Sequence, residues 1–140
     1  AKVDYSAVPW VTYTAPELAQ VGLTEQAARA AHGDITILRA SFADNDRARA
    51  EGKTRGQLKV MTTRKGVVVG ASMVGEKAGE LIQSWCLPIA KGLKIKDITG
   101  LILPYPTLGE INKRAAGSYY TPSLFSDRTR RIVRFLLSFG

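Results

Sequence analysis

The 140-residue chain has a single cysteine and a single histidine. One cysteine excludes an internal disulfide and any cysteine-rich metal site. Cys86 lies in the apolar run "LIQSWCLPIA", which favours a buried, inert thiol over a reactive one. His32 sits beside Gly33 in "AAHGD", which is typical of an exposed helix end. Both Ser-His and Cys-His catalysis therefore have little support, and no metal site is predicted.

Other motifs are missing as well. No apolar run approaches about 18 residues, so no transmembrane helix is predicted, and the start "AKVDYSAVPW" lacks the pattern of a signal peptide. It also lacks an initiator methionine, which suggests a fragment or a cleaved product. Neither Gly-x-Gly-x-x-Gly nor a Walker loop occurs. We therefore expect no nucleotide site within this chain.

Acidic residues are absent from the last 13 residues, which carry Arg128, Arg130, Arg131 and Arg134. The net charge of +8 comes from 20 basic and 12 acidic residues. Without this segment the balance is 16 against 12, or +4. Half of the excess is a property of the tail, which weakens a nucleic-acid interpretation for the body. We predict no nucleic-acid partner.

Five segments have the composition or alternation of strands. They are residues 8–14, 18–23, 34–42, 57–63 and 67–75, and "RKG" joins the last two as a tight hairpin. Gly70, inside the fifth strand, indicates a bulge or a close backbone approach. The order of strands followed by helices predicts an α+β fold, an antiparallel β-sheet with helices packed on one face. We expect residues 1–126 to form this domain and residues 127–140 a basic amphipathic tail.

Helices are predicted at four places in the body and one in the tail. Thr24 caps the first helix, which stops at Gly33. An apolar stripe predicts a helix over 76–91, with Pro88 kinking its last turn. The others are expected at 94–101, 107–117 and 128–140. The polar segment 43–56 is interpreted as a solvated connection with a short helical turn at most, and 118–127 as irregular.

The stretch "LPYPTLGE" sets Tyr105 between two prolines and ahead of Thr-x-x-Glu. Thr107 as N-cap and Glu110 at the third helical position form a capping box, in which each side chain accepts from the other's backbone N–H. By residue type alone, Tyr105 is predicted to pack its aromatic ring against the protein and to expose its hydroxyl to solvent. The stretch is either a plain helix start or the edge of an active site.

Four ordered pieces together resemble the C-terminal interface domain of the pyridine nucleotide-disulfide oxidoreductases. These enzymes include dihydrolipoamide dehydrogenase, glutathione reductase and mercuric reductase. The resemblance covers about residues 8–117 and rests on "VPWVTYTAPELAQVGLTEQAA", "DNDRARAEG", "GQLKVMTTRKGVVVGASMVGEKAGELI" and "YPTLGEINKRAA". It implies the dimerisation domain of an FAD-dependent NAD(P)H-disulfide oxidoreductase, inactive as an isolated fragment.

The resemblance also implies the site residues. The family usually has His-Pro-Thr-x-x-Glu, whose histidine passes a proton to the redox thiols and whose glutamate orients it. Tyr105 stands at the histidine position, while Pro106, Thr107 and Glu110 match. Tyr105 and Glu110 are the expected catalytic residues, Tyr105 and Pro106 the expected cofactor contacts, and the Tyr105–Pro106 bond is expected to be cis. Mercuric reductases also have a tyrosine at this position. Many of them end in a pair of cysteines, however, and this chain lacks that pair.

Partners and location follow from the same resemblance. FAD and NAD(P)H are expected in the full-length protein, bound by missing domains of the same polypeptide, with neither cofactor bound by this fragment. A homodimer is expected, in the cytoplasm, with possible membrane contact through the tail, which is either helical and packed or not ordered. The alternative function, from a different class of protein, is a stand-alone dimerisation or binding module without catalysis.

Overall fold

Five strands form one antiparallel sheet in the order β1-β2-β5-β4-β3. The computed structural model describes residues 4–137. The strands are β1 Trp10–Thr12, β2 Glu17–Gly22, β3 Ile35–Ser41, β4 Gln57–Thr63 and β5 Val68–Gly75. The predicted α+β fold class and the five predicted strands are confirmed, with the first strand shorter than expected.

Eight α-helices occur in the described part of the chain. They are α1 Glu25–His32, α2 Asp46–Ala50, α3 Ala78–Leu81, α4 Cys86–Lys91, α5 Ile95–Thr99, α6 Glu110–Gly117, α7 Thr121–Leu124 and α8 Asp127–Leu137. Short 3-10 helices span Phe42–Asp44, Ile82–Trp85 and Ser118–Tyr120. No described helix is long and apolar enough to cross a bilayer.

The β4–β5 pairing contains the irregularity that Gly70 predicted. The register shifts between Met61 and Thr62 of β4, opposite Gly70. A Cβ atom at Gly70 would collide with the backbone carbonyl of Leu23. Glycine is therefore required because the β2–α1 connection passes directly over the strand.

The main core lies between one face of the sheet and the helices that follow β5. Its largest members include Trp85 and Ile82 from the helical side and Leu58 and Val60 from β4. On the opposite face, α1 covers a small cluster built around Met61. Burial of this apolar area is the main stabilising contribution to the fold.

The predicted helix over 76–91 is interrupted, and its break lies earlier than expected. It consists of α3, the 3-10 helix Ile82–Trp85, and α4. Pro88 has no backbone N–H to donate to the carbonyl four residues earlier, and its ring clashes with that carbonyl, which belongs to Ser84. The strain is therefore relieved in the turn before Pro88 and not in the last turn.

The prediction that 118–127 is irregular was wrong. Ser118 to Tyr120 form a 3-10 helix and Thr121–Leu124 form α7. Pro122 is tolerated because it lies in the first turn of a helix. The Tyr119 hydroxyl donates to the carbonyl of Arg64 over 2.9 Å, which fastens this segment to the β4–β5 turn.

The tail prediction was half right. Residues 127–137 form a helix, but Ile132, Val133, Leu136 and Leu137 are largely exposed, so the described part of the chain does not show the expected packing of these side chains. Ser126 supports the start of the helix, because its Oγ accepts from the N–H of Thr129 over 3.3 Å. The last three residues of the predicted tail helix, 138–140, lie outside the described residues. The domain boundary at 126 stays a prediction.

Candidate functional site

Tyr105 lies on the loop that leads into α6. The Tyr105–Pro106 peptide bond is cis, as predicted, and so is the Ala15–Pro16 bond, which was not predicted. The Tyr105 side chain is 69% exposed. It is therefore not the packed aromatic that its residue type alone suggests.

The phenol of Tyr105 has a carboxylate partner. Its Oη donates a hydrogen bond to Oδ2 of Asp46, the first residue of α2, over 3.0 Å. This bond, and then the negative charge of Asp46, raise the pKa of Tyr105 above its usual value, with smaller contributions from burial and from Glu110. Both charges disfavour the phenolate. Tyr105 is thus held in its protonated form.

A buried amide fixes the Tyr105 loop against α2. Asn45 is 2% exposed, and its Nδ2 donates to the carbonyls of Thr107 at 3.1 Å and Leu108 at 3.4 Å. Its Oδ1 accepts from the N–H of Ala48 over 2.9 Å, which caps α2. One side chain therefore positions both Asp46 and the loop that carries Tyr105.

The predicted capping box forms by half. Oε2 of Glu110 accepts from the backbone N–H of Thr107 over 3.3 Å, as expected. The Thr107 hydroxyl, however, donates to the carbonyl of Pro104 over 2.9 Å and does not cap the helix. The helix begins at Glu110, after Gly109, because the N–H groups of Glu110 and Ile111 bond to carbonyls three residues back. Because these backbone N–H groups already bond to carbonyls, none is left to donate to the Thr107 hydroxyl.

Helix α6 is anchored from behind by a second buried amide. Oδ1 of Asn112 accepts from Nε1 of Trp85 over 2.8 Å, and its Nδ2 donates to the carbonyl of Leu81 over 3.2 Å. Both Asn112 and Trp85 are buried. Glu110 therefore projects from a helix whose position is fixed by the core.

An open cleft of about 280 Å³ lies beside these groups. Its lining combines two carboxylates with two cations and consists of Asn45, Asp46, Glu110, Lys113 and Arg114. Such a balanced lining is no phosphate cradle, which needs converging backbone N–H groups or net positive charge.

The structure brings two of the three predicted site residues together. Tyr105 lies close enough to Glu110 for that charge to contribute to its raised pKa, and Asp46, the partner of Tyr105, lines the same cleft as Glu110. Pro106 lines a different surface depression, together with Arg47 and Leu81. The described residues contain no cluster of three or more side chains suited to hold a metal ion.

Sequence reasoning missed Asn45 and Asp46. Both belong to "DNDRARAEG", which was interpreted as a solvated connection. A signal was present, because Asn followed by Asp and a helix-forming run is a helix start. Nothing in the local sequence, however, shows that Asn45 contacts a loop some 60 residues away.

Comparison with known proteins supports this reading of the fold. Residues 8–116 match the family described as "Pyridine nucleotide-disulphide oxidoreductase, dimerisation domain". The chain belongs to this family. The dimerisation domain is 39% identical over 117 residues to dihydrolipoyl dehydrogenase of Bacillus subtilis (strain 168), covering 83% of this chain and 25% of the relative. It is 40% identical over 115 residues to the Geobacillus stearothermophilus enzyme, covering 81% and 24%.

Solved structures give the same fold. LpdA from Mycobacterium tuberculosis superposes with a TM-score of 0.78 at 24% identity, covering 84% of this chain and 26% of that protein. The Cu(II) complex of the HOCl-induced flavoprotein disulfide reductase RclA from Escherichia coli gives 0.76 at 28% identity, covering 81% and 26%. The dimerisation domain thus spans about a quarter of the length of these relatives.

Proposed function

We propose that this chain is the dimer-forming part of an FAD- and NAD(P)H-dependent disulfide oxidoreductase. The family match and the dihydrolipoyl dehydrogenase relatives support this assignment. The FAD and nicotinamide sites, and the redox disulfide, belong to other domains of the same polypeptide. The chain alone is inactive and binds neither cofactor, and its working form is a homodimer.

The role of this chain in the reaction is to bring Tyr105 to the redox centre of the partner subunit. The observation that carries this proposal is an exposed phenol on a fixed loop. Asn45 holds the loop by two backbone carbonyls, and Asp46 holds the phenol itself. These contacts restrict the rotation of an exposed side chain. Positioning of a reacting group before substrate binds is what a catalytic site requires.

The chemistry of Tyr105 differs from that of the histidine expected at this position. A phenol whose pKa is raised by Asp46 stays protonated at neutral pH. It can donate a hydrogen bond to a thiolate or a bound ligand, but it is a poor base. Imidazole, with a reference pKa near ~6.5, exchanges protons readily at the same pH. Thiol–disulfide exchange that needs a base is therefore slower here than in a histidine enzyme.

This difference favours a mercuric-reductase-like substrate, a soft metal ion, over a dithiol. Reduction of a metal ion bound by thiolates needs no proton removal from the substrate by residue 105. The HOCl-induced flavoprotein disulfide reductase RclA from Escherichia coli, 28% identical to this chain, forms a Cu(II) complex. Tyr105 then contacts the bound ion or its thiolate ligands.

The test is to express the complete polypeptide of the reading frame that contains this chain. We expect a yellow homodimer with flavin absorbance that oxidises NADH or NADPH. Turnover with Hg(II) should exceed turnover with lipoamide or glutathione disulfide. A colourless protein, or a reading frame without FAD- and NAD-binding motifs, would leave the stand-alone dimerisation module as the better account.

A further inference from the structure

Glu110 is the carboxylate that the family's His-Pro-Thr-x-x-Glu motif pairs with residue 105, but here its hydrogen bond goes elsewhere. Oε2 of Glu110 accepts from the backbone N–H of Thr107 over 3.3 Å. Among the described residues, its carboxylate makes no hydrogen bond to Tyr105. Its charge is the smallest of the contributions that raise the pKa of Tyr105. Glu110 therefore supports the start of α6 and acts on the phenol only at a distance.

Asp46 occupies the place beside the phenol that the motif gives to Glu110. Its Oδ2 accepts from the Tyr105 hydroxyl over 3.0 Å. The neighbouring Arg47 does not compete for this carboxylate, because its Nε is paired with Glu51 over 2.5 Å. In the part of the chain that the structure describes, Asp46 enters no ion pair. The carboxylate of Asp46 is therefore left to the phenol.

The distance between Asp46 and the Tyr105 loop is set by other contacts and not by the phenol. The buried side chain of Asn45 donates to the carbonyls of Thr107 and Leu108. It also caps the helix that begins at Asp46. Loss of the Tyr105–Asp46 bond would therefore release the phenol without displacing its loop. An exposed pair of this kind contributes little to stability, so its main effect is on the orientation of the Tyr105 side chain.

We propose that Asp46, and not Glu110, is the carboxylate that orients residue 105 for the reaction. This role rests on the proposed function, in which Tyr105 contacts the redox centre of the partner subunit. Asp46 is a positioning residue, because it acts on the reaction only through Tyr105, by holding the phenol in one orientation. Both members of the histidine–glutamate pair are thus replaced, the histidine by a tyrosine and the glutamate by a carboxylate from another helix.

The test compares variants of the complete polypeptide, with NADH or NADPH and the fastest of three acceptors: Hg(II), lipoamide and glutathione disulfide. Asp46→Ala removes the hydrogen bond and should lower kcat about tenfold or more. Asp46→Asn keeps an oxygen that can accept from the phenol and should recover most of this loss. Glu110→Gln should retain turnover close to that of the wild type, because Glu110 does not bond to the phenol.

Two readouts separate orientation of the phenol from a merely structural effect. In Tyr105→Phe, which has no hydroxyl, Asp46→Ala should cause no further loss, because both changes remove the same bond. In Asp46→Asn, the alkaline limit of turnover should move to lower pH, because the charge that keeps the phenol protonated is gone. The other charged residues that line the cleft are unchanged in that variant: Glu110, Lys113 and Arg114.

The matched control is Asp44→Ala, which removes an equally exposed carboxylate two residues away and outside the cleft lining. It should turn over like the wild type, and FAD content and dimer mass check that each variant is folded.

Four results would overturn the inference. Slow turnover in Tyr105→Phe with wild-type turnover in Asp46→Ala would reject the role of Asp46 and leave the proposed role of Tyr105 intact. Wild-type turnover in Tyr105→Phe itself would reject both. Additive losses in the double variant would show that Asp46 acts independently of Tyr105. A loss in Glu110→Gln as large as that in Asp46→Ala would return the orienting role to Glu110.

Discussion

The hydroxyl of Tyr105 donates a hydrogen bond to the carboxylate of Asp46 over 3.0 Å, across 59 residues of sequence. The bond joins the loop before α6 to the first turn of α2. It fixes the orientation of an exposed phenol and also raises its pKa. Asp46 is thus a positioning residue for Tyr105 in the site proposed above.

Replacement of Asp46 by Asn should lower the pKa of Tyr105 toward its usual value near 10. The carboxamide can still accept the hydrogen bond, but the negative charge that disfavours the phenolate is gone. The measurement is an absorbance titration of the phenolate, with Tyr105→Phe as the reference that identifies this tyrosine among five. An unchanged titration in Asp46→Asn would show that the two side chains do not interact in solution.

The same shift predicts a change of stability at alkaline pH. The folded-state pKa of Tyr105 lies above the unfolded value near 10. Its contribution to the free energy of unfolding is therefore complete below about pH 10 and is lost as pH rises through the folded-state pKa. The stability difference between wild type and Tyr105→Phe should be constant near neutral pH and change only in strongly alkaline solution. If the stability difference between wild type and Tyr105→Phe instead changed between about pH 5 and 8, ionisation of Tyr105 could not be its cause.

Replacement of Asn45 by Ala should destabilise the chain by about 2 kcal/mol or more. The cap of α2 contributes about 1 kcal/mol, and loss of the Nδ2 donor leaves two carbonyls without their partner, at about 1–3 kcal/mol for a buried group. Urea denaturation measures the loss. Asn45→Ser keeps a capping oxygen but is too short to bond both carbonyls, so it should fall between wild type and Asn45→Ala. Stability of Asn45→Ser equal to that of the wild type would mean that the hydrogen bonds from Asn45 to Thr107 and Leu108 contribute nothing.

Replacement of Glu110 by Ala should cost about 0.5–1 kcal/mol, since only half of the capping box is formed. Glu110→Gln keeps an oxygen that can accept from the Thr107 N–H and should cost less. Comparison of the two separates the hydrogen bond from the charge. In the complete enzyme, Glu110→Gln tests the charge beside Tyr105 with little change in fold, and turnover equal to wild type would remove Glu110 from the reacting groups.

The fold was largely predictable because its signals are local. Alternation in 57–63 and the cap at Thr24 each reflect the backbone of adjacent residues, and the structure agrees with them. The break ahead of Pro88 was placed too late, since its cause acts on the carbonyl four residues earlier. Local patterns failed wherever the deciding contact was distant.

The site was only partly predictable for this reason. Tyr105, Pro106 and Glu110 came from a motif, and the motif lies on one short segment. Asn45 and Asp46 act through contacts across 59 or more residues. The exposure of α8 was likewise unexpected, because amphipathic periodicity predicts an apolar face but does not identify the surface that covers it.

The central claim is that Tyr105 acts in the active site of the partner subunit, and complementation within a mixed dimer tests it most directly. Two versions of the complete polypeptide are co-expressed with different tags, one with Tyr105→Ala and one with the redox cysteines replaced by serine. Each homodimer should be nearly inactive. If Tyr105 acts across the dimer, the purified heterodimer contains one intact site and should recover about half of the wild-type turnover, since one of its two sites is complete. A heterodimer as inactive as the two parents, with full flavin content, would contradict the account.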